Sequence, residues 1–337
     1  MKTAFFDLNG WEIPHINEQC KNTGIDIITT SIEVFDATHI NQINDAEILS
    51  VFLSKVDQSH IDALPKLKLI STRATGFDHI DIEYAKKRGI AVINIPSYCE
   101  QSVAEYAMGL MLMLSRKLNL TYVNSLFGNF DQKTIQGHDL ENKTLGVIGT
   151  GKIGRKLIKM ASGFDMKIIC YDAKPKPELI AVYNTKYVSL ETLLKESDVI
   201  SIHLPYTPET HHLINFETLK LLKIGVLLVN TARGPIVDTS ALRQGLKDNI
   251  FGGVALDTFE AEQIWINKKD ILDKTEVPSD KTFKKALEAF DLLEFKNVIL
   301  SPHNAFNTYE AVKRMLEITL TDIITFQQKN NCSHRVV

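Results

Sequence analysis

Short apolar runs rich in valine and isoleucine alternate with segments of helical period along almost all of the chain. This alternation is typical of βαβ units, in which helices connect parallel strands and cover the sheet. The first series of runs comprises residues 3–6, 26–30, 48–53, 67–72 and 91–95, and the second comprises residues 144–149, 167–172, 199–204, 225–230, 252–256 and 298–300. The sequence therefore predicts an α/β protein with one parallel sheet from each series.

Helical segments beside the two series predict how the chain divides. The 337 residues correspond to about two domains. Apolar residues at helical spacing from Val103 to Leu118 predict a long buried helix that leads from one domain to the other. A terminal helix predicted over residues 308–329 returns to the first sheet. We therefore predict one domain of residues 1–100 and 302–337 and a second domain of residues 101–301.

Composition narrows the class of protein. The chain has 38 basic and 41 acidic residues, so its net charge of −3 provides no positive field for a nucleic acid or an anionic membrane surface. The longest apolar run, residues 107–114, is far shorter than the roughly 20 residues that span a bilayer. The N-terminus lacks the apolar core of a secretory signal, and four cysteines occur without a C-x-x-C pair. We expect a cytoplasmic protein with reduced thiols and with no nucleic-acid or membrane partner.

Histidine spacing gives no sign of a metal site. The ten histidines include the adjacent pair His211 and His212, but no two lie four residues apart beside carboxylates. We predict no bound metal.

A glycine-rich motif follows the first strand of the second series. Gly149, Gly151 and Gly154 fit the pattern G-x-G-x-x-G, and a predicted helix over residues 152–162 begins within it. The first glycine allows a tight turn, the second lets the backbone approach a pyrophosphate, and the third packs the helix on the strand. The helix N-terminus adds amide donors and the positive end of its dipole. A motif in this context predicts a dinucleotide site.

Asp172 ends the next predicted strand, close to 20 residues after the last glycine. A carboxylate at this place accepts hydrogen bonds from the adenosine ribose and repels a 2′-phosphate. The sequence therefore favours NAD over NADP. Lys174 and Lys176 follow closely and weaken that repulsion, so the strictness of this selectivity stays open.

Three polar residues follow strand ends of the second series, where open α/β sheets bind their ligands. They are Arg233, Glu262 and His303. Each has a simple alternative explanation, as a surface ion pair, a solvated loop charge or a turn histidine. Their spacing alone does not decide between these explanations and a catalytic role.

Seven stretches of the chain match motifs of one family. They are RATGFDHID (73–81), IPSYCEQSVAEYA (95–107), TLGVIGTGKIG (144–154), SIHLPYT (201–207), NTARGPIVD (230–238), LDTFEAE (256–262) and SPHNAFNT (301–308). In this order they resemble the D-isomer-specific 2-hydroxyacid dehydrogenases, and most of all the D-lactate dehydrogenase type. The resemblance implies a doubly wound Rossmann coenzyme domain and a flavodoxin-like substrate domain.

The resemblance also implies a reaction, the NAD-dependent reduction of pyruvate to D-lactate. His303 would donate a proton to the substrate carbonyl, Glu262 would stabilise the protonated imidazole, and Arg233 would hold the substrate carboxylate and polarise the carbonyl. Partners would be small 2-oxo and 2-hydroxy acids. The family further implies a homodimer formed by the coenzyme domains and the helix over residues 103–118.

Binding residues follow from the same resemblance. In addition to the glycine motif and Asp172, the implied cofactor residues are Lys152, Ile153, Leu204, Pro205, Thr210, Thr231, Ala232, Arg233 and Asp257, of which Asp257 faces the nicotinamide carboxamide. The implied substrate residues are Thr75, Gly76, Tyr98, Arg233 and Phe306. Backbone amides of Thr75 and Gly76 would bind the carboxylate, while Tyr98 and Phe306 would form the walls of a small pocket.

Two departures from the family pattern bear on the substrate. Thr75 stands where lactate-type members have a β-branched apolar residue, and the interval from Glu262 to His303 is long. A charged helical stretch in that interval, residues 281–294, fits a lid, a dimer contact or a solvated insertion. Alternative substrates are 2-oxobutyrate, phenylpyruvate and hydroxypyruvate. A formate dehydrogenase would carry glutamine in place of Glu262, and a corepressor-like protein that senses NAD(H) is a more distant alternative.

Overall fold

The structure is a computed structural model that describes residues 1–21, 23–30, 43–266 and 279–337. The described residues form two compact units. The smaller unit contains Met1–Cys99 and Thr308–Val337, and the larger unit contains Glu100–Asn307. Residues 302–307, which the sequence-based boundary assigns to the first domain, are grouped with the larger unit. Of the interval after Glu262, residues 267–278 lie outside the described residues.

The smaller unit is built on five parallel strands in the order β2-β1-β3-β4-β5. The strands are β1 (Lys2–Phe5), β2 (Asp26–Thr29), β3 (Ile48–Val51), β4 (Leu69–Thr72) and β5 (Ala91–Ile93). The helices are α1 (Glu12–Cys20), α2 (Gln58–Asp62), α3 (Ile82–Lys87) and the terminal α13 (Tyr309–Lys329). All residues of β3 and β4 are buried, as expected for central strands with both faces covered. The strand order is flavodoxin-like, as predicted.

The larger unit contains a parallel sheet in the order β12-β11-β10-β9-β6-β7-β8. Its strands are β6 (Thr144–Ile148), β7 (Lys167–Tyr171), β8 (Lys186–Tyr187), β9 (Val199–Ile202), β10 (Val226–Asn230), β11 (Phe251–Leu256) and β12 (Val298–Leu300). Its helices are α4 (Glu100–Ser115), α5 (Leu118–Leu126), α6 (Lys152–Ser162), α7 (Pro177–Tyr183), α8 (Leu190–Glu196), α9 (Phe216–Leu219), α10 (Thr239–Lys247), α11 (Glu262–Ile266) and α12 (Asp280–Asp291), with 3-10 turns at Gly234–Ile236 and Leu292–Glu294. This order is the doubly wound Rossmann order with one additional strand, and it confirms the predicted fold.

Hydrophobic clusters lie on both faces of this larger sheet. Val147 and Ile148 are neighbours on β6, yet they belong to different buried clusters. Successive side chains of a strand point to opposite faces, so helices must cover both sides. Among the described helices, none combines the length and the apolarity needed to cross a membrane.

The sequence prediction of six strands in the second sheet misses β8. This strand has only two residues, and it pairs with the edge strand β7 through Ile169 with Lys186 and Cys170 with Tyr187. A two-residue strand is too short to show the alternation by which strands are recognised.

The prediction of one long helix from Val103 to Leu118 is wrong at its C-terminal end. Helix α4 stops at Ser115, and Lys117 adopts a left-handed conformation with φ of 50° before α5 begins. The carbonyl of Ser115 accepts a hydrogen bond from the N–H of His138 (2.7 Å), which satisfies a free group of the helix end. Leu118 is therefore about half exposed rather than buried.

Arg73 is fully buried at the C-terminal end of β4 in the smaller unit. Its guanidinium donates to Ser50 Oγ (3.0 Å) and Asp7 O (3.1 Å), and also to Phe6 O. Burial lowers the pKa of Arg73 to about 10, and the negative charges of Asp7 and Glu12 partly oppose this effect. The side chain stays charged at neutral pH and ties together the ends of β1, β3 and β4.

We predict that Arg73→Lys destabilises the smaller unit by about 2–4 kcal/mol, because one ammonium group cannot replace a planar fork that reaches three acceptors. Calorimetric melting measures this loss. The matched control is Arg88→Lys, since Arg88 forms a partly exposed ion pair with Asp62 and should lose less than about 1 kcal/mol. Equal melting temperatures for the two variants would contradict the role of the buried fork.

Candidate active site

The predicted cofactor and catalytic residues lie at the C-terminal ends of the strands of the larger sheet. The sheet reverses its winding direction between β6 and β9, which are hydrogen-bonded neighbours. In open α/β sheets, ligands bind outside the carboxyl ends of the strands at such a point. The glycine turn follows β6, and loops with candidate catalytic residues follow β10, β11 and β12.

The three motif glycines have three different environments. Gly149 has φ of +96°, and a Cβ there would lie 2.6 Å from His203 O. A Cβ on Gly154 would lie 2.1 Å from Gly149 O. By contrast, a Cβ on Gly151, the N-cap of α6, would meet no atom within 4 Å. The first and third glycines are thus required by the protein itself, whereas the space beside Gly151 suits a close ligand such as a pyrophosphate.

Asp172 follows β7 and contacts the glycine turn. Its Oδ2 accepts hydrogen bonds from Thr150 N (2.6 Å) and Thr150 Oγ1 (2.8 Å), and its Oδ1 accepts one from Lys174 N (2.8 Å). Burial raises the pKa of Asp172, but the hydrogen bonds from Lys174 and Thr150 outweigh it, so the pKa lies below its usual value. The carboxylate therefore stays ionised, in the state that repels a 2′-phosphate.

The other predicted cofactor residues lie at the same ends of the strands. Lys152 and Ile153 begin α6, Leu204 and Pro205 follow β9, and Thr231 and Ala232 follow β10.

Two buried polar atoms near these residues have no hydrogen-bond partner in the described part of the chain. They are Thr231 Oγ1 and His203 Nδ1. Thr210 Oγ1 instead donates to Pro205 O (2.9 Å), so this threonine shapes the loop after β9. Burial lowers the pKa of His203 to about 4, so the ring is neutral. Because both atoms lie at strand ends, a ligand bound there is one possible source of their missing hydrogen-bond partners.

His303 and Glu262 come together despite their separation in sequence. His303 Nδ1 lies 3.1 Å from Glu262 Oε1, and Glu262 Oε2 accepts the N–H of Phe259 (3.1 Å). The His303 side chain is 32% exposed and that of Glu262 15%. One ring nitrogen of His303 therefore contacts the carboxylate, and Nε2 is left to contact a ligand.

Asp257 fixes the loop that carries His303. Its side chain is buried, and it accepts hydrogen bonds from Ser301 Oγ (2.6 Å), Asn304 N (2.9 Å) and Ala305 N (2.9 Å). The N–H of His303 donates to the carbonyl of Asp257 (3.0 Å). This set of bonds holds His303 in a left-handed conformation with φ of 53°. Asp257 thus orders the loop from both its side chain and its backbone.

Arg233 lies in the loop after β10. Its Nη1 donates to Ala232 O (2.7 Å), and the guanidinium makes no other hydrogen bond to a described residue. Buried Asn230 donates to Arg233 O (3.0 Å) and Thr258 O (3.3 Å) and so joins this loop to the one after β11. Gly234 allows the approach, because a Cβ there would lie 2.3 Å from the carbonyl carbon of Phe259.

A charged group anchors the segment just before Glu262. Glu260 is 3.0 Å from both His212 Nε2 and Lys285 Nζ, and Lys285 Nζ also contacts Asp238 (2.9 Å). Among the described residues, His212, Asp238 and Glu260 bring ligand-type atoms within 4.8 Å of one another. The Lys285 ammonium already supplies the positive charge that these carboxylates need, so we assign the group to anchoring rather than to a metal.

The predicted substrate residues divide between the units. Phe306 lies in the larger unit, 6.4 Å from His303 between ring centroids. Thr75, Gly76 and Tyr98 lie in the smaller unit. The backbone N–H groups of Thr75 and Gly76 donate to no described residue, whereas the Thr75 hydroxyl donates to Ile95 O (2.9 Å). Tyr98 is buried, and its carbonyl accepts a hydrogen bond from Arg314 (2.9 Å).

Comparison with known proteins identifies the family. A model of the NAD binding domain of D-isomer specific 2-hydroxyacid dehydrogenases matches residues 108–305. A glyoxylate reductase of Thermofilum pendens is 39% identical over 291 residues, which are 85% of this chain and 79% of the relative. The D-lactate dehydrogenase of Escherichia coli is 31% identical over an alignment of 344 positions that covers 100% of both chains. The chain belongs to the D-isomer-specific 2-hydroxyacid dehydrogenase family.

A solved structure in this family contains the cofactor. The D-lactate dehydrogenase of Aquifex aeolicus, complexed with NAD and lactic acid, matches with a TM-score of 0.82 at 38% identity, covering 97% of this chain and 96% of that one. The present chain is thus an NAD-dependent oxidoreductase for D-2-hydroxy acids, and its cofactor is NAD. The open space at Gly151 and the ionised Asp172 fit that cofactor.

Several residues that organise this dehydrogenase's site escaped sequence reasoning. Ser301 and Asn230 lie within the matched motifs, but nothing in the sequence shows which buried groups they join. Thr150, inside the glycine motif, is another example. In the sequence these residues are marked only by their position beside candidate site residues. Which groups they contact is visible only in the tertiary structure.

We predict that one added methyl group lowers NADH affinity at Gly151 but lowers the stability of the protein at Gly154. Gly151→Ala should leave the melting temperature unchanged and raise the Kd for NADH about tenfold in a fluorescence titration, because the methyl enters the space that suits the pyrophosphate. Gly154→Ala should cost about 1–3 kcal/mol of stability, since helix and turn must move apart. Wild-type NADH affinity in Gly151→Ala would contradict the assignment.

Proposed function

We propose that this dehydrogenase reduces pyruvate to D-lactate, with His303 as the proton donor. The observation that carries the proposal is the contact between His303 Nδ1 and Glu262 Oε1 at 3.1 Å, on a loop that Asp257 holds in place. A histidine paired with a carboxylate is the arrangement that a proton transfer to a ketone oxygen needs. The relative that binds NAD and lactic acid supports a lactate-type substrate.

The proposed mechanism assigns separate tasks to the two nitrogens of His303. When bound, NADH supplies the hydride that reduces C2 of the 2-oxo acid. Protonated His303 gives its Nε2 proton to the carbonyl oxygen as negative charge develops there, because Nδ1 is engaged by Glu262. The Glu262 carboxylate stabilises the imidazolium before the transfer. In the reverse direction His303 takes the proton from the hydroxyl of D-lactate.

Arg233 is the proposed ligand of the substrate carboxylate and of the carbonyl. Its guanidinium has five N–H donors in a planar fork, and one hydrogen bond within the described chain, to Ala232 O, leaves most of them for the substrate. Charge-assisted bonds from this fork position the 2-oxo acid and stabilise the charge that develops on its oxygen.

We assign the smaller unit as the substrate domain and the larger unit as the coenzyme domain. The N–H groups of Thr75 and Gly76 are proposed to bind the substrate carboxylate. The Thr75 hydroxyl is engaged by Ile95 O, so it does not compete for the substrate, and the residue keeps the β-branched shape found in lactate-type members. Tyr98 and Phe306 are each proposed, from the family resemblance, to contact the side chain of a small or flat substrate.

The substrate assignment is tested by initial rates of NADH consumption with a series of 2-oxo acids. We expect the highest kcat/KM for pyruvate and a decline through 2-oxobutyrate to phenylpyruvate. A larger acid or hydroxypyruvate as the best substrate would keep the reaction and reassign the pocket. His303→Gln should lower kcat by at least about 100-fold with little change in the Kd for NADH, whereas the control His138→Gln, at an exposed residue of the same unit, should retain full activity.

We further propose that the chain forms a homodimer through α5. Leu118, Tyr122 and Leu126 recur every four residues along one face of this helix, and all are exposed. Phe127 (84% exposed) and Phe130 (77%) extend the apolar surface. An exposed apolar patch of this kind marks an interface, and the family's homodimer supplies the occupant, a second copy of the chain. None of the four cysteines, all of which the structure describes, is in a disulfide, which fits a reducing compartment such as the cytoplasm.

Sedimentation velocity checks the proposed dimer. The wild-type protein should sediment as a dimer of 38.0-kDa chains, and Leu126→Glu should shift it to the monomer because a charge cannot be buried in an apolar interface without a partner. Phe164→Glu, which alters an exposed aromatic residue outside α5, is the control and should remain dimeric. A monomeric wild-type protein would refute this interface.

A further inference from the structure

A chain of hydrogen bonds runs from the edge strand β8 to Asp172. Lys176 N lies 3.0 Å from the hydroxyl of Tyr187, which lies 3.0 Å from Thr150 Oγ1. Thr150 Oγ1 is in turn 2.8 Å from Asp172 Oδ2. These hydrogen bonds therefore connect β8, which the sequence did not predict, to Thr150 in the glycine motif. Through Thr150 they reach Asp172, the proposed ligand of the ribose.

The number of available hydrogens fixes the direction of every bond in this chain. The ionised Asp172 carboxylate can only accept, so the single hydroxyl hydrogen of Thr150 is committed to it. Thr150 Oγ1 must then accept the hydrogen of Tyr187, and the Tyr187 oxygen accepts the N–H of Lys176. The direction of each hydrogen bond is therefore fixed, and only one hydrogen-bond pattern is possible. Removal of the Tyr187 hydroxyl leaves the N–H of Lys176 and one acceptor site on Thr150 Oγ1 without a partner.

The bonds also determine what Asp172 can still bind. A carboxylate offers about four acceptor sites, and Thr150 N, Thr150 Oγ1 and Lys174 N occupy three of them. The remaining site can accept one hydroxyl hydrogen from a ribose. A 2′-phosphate brings further negative charge and no suitable hydrogen, so the fixed carboxylate discriminates against it.

We propose that Tyr187 is a positioning residue that fixes Asp172, through Thr150, in the orientation that selects NAD over NADP. Tyr187 itself need not touch the cofactor. Its ring packs against the buried cluster beneath β7, so its hydroxyl has a defined position relative to the glycine turn. The inference rests on NAD as the cofactor and does not depend on which 2-oxo acid is reduced.

The test removes the hydroxyl and keeps the ring. In Tyr187→Phe, fluorescence titration should show a Kd for NADH about 3- to 10-fold higher, with the Kd for NADPH changed by less than about twofold. The kcat for the best 2-oxo acid at saturating NADH should stay within about twofold of wild type. The control is Tyr183→Phe, which removes the hydroxyl of a partly buried tyrosine packed against the same cluster and should leave both Kd values unchanged.

A second pair of variants tests the link through Thr150. Thr150→Val should lower the preference for NADH as Tyr187→Phe does, and the double variant should be no worse than the stronger single variant, because both interrupt one chain. Thr150→Ser keeps the hydroxyl and should retain wild-type selectivity. If Tyr187→Phe melts more than about 5 °C below wild type, the Val and Ser variants at Thr150 decide alone. Unchanged NADH affinity, equal weakening of NADPH, or additive effects in the double variant would overturn the proposal.

Discussion

The buried carboxylate of Asp257 is the constraint on which the geometry of the site depends. A carboxylate taken out of water must be fully hydrogen-bonded, and its donors come from one short segment, Ser301 to Ala305. The same segment carries His303 in a left-handed conformation that is uncommon for residues other than glycine. The cost of burying Asp257 is thus offset only when the His303 loop is in place, so the position of His303 is coupled to the stability of this end of the sheet.

Glu262 is held by an independent set of contacts. Glu260, two residues before Glu262, is anchored by ion pairs with His212 and Lys285, and Lys285 also contacts Asp238. The N–H of Phe259 donates a hydrogen bond to Glu262 Oε2. The close approach at Gly234 joins this segment to the loop with Arg233. Polar contacts therefore add to apolar packing in fixing the loops after β10, β11 and β12, and they set the orientation of the polar side chains that these loops carry.

The glycine turn after β6 is also fixed by contacts within the protein, here by close approaches of backbone atoms. Gly149 and Gly154 are dictated by contacts within the protein, so they would be needed even without a ligand. Gly151 has open space beside it, so no contact within the described protein requires a glycine at this position. Asp172, Thr150 and Tyr187 then link the turn to the edge of the sheet. An edge strand of two residues can therefore influence the glycine turn through a single hydroxyl group.

The sequence by itself determined the α/β class, the two parallel sheets and the family. Apolar alternation, the glycine motif and seven ordered motifs are local patterns that can be recognised from the order of residues alone. It located α6 from Lys152 to Ser162 and most strands within a few residues. It missed β8, which is too short to leave a pattern, and the end of α4, which a distant N–H at His138 satisfies. The family resemblance already implied that Glu262 stabilises His303, whereas only the tertiary structure decided that Asp257 holds the His303 loop and that Tyr187 contacts Thr150. These are contacts between side chains and backbone groups far apart in sequence, and their partners are chosen by the packing of the sheet, which no local pattern records.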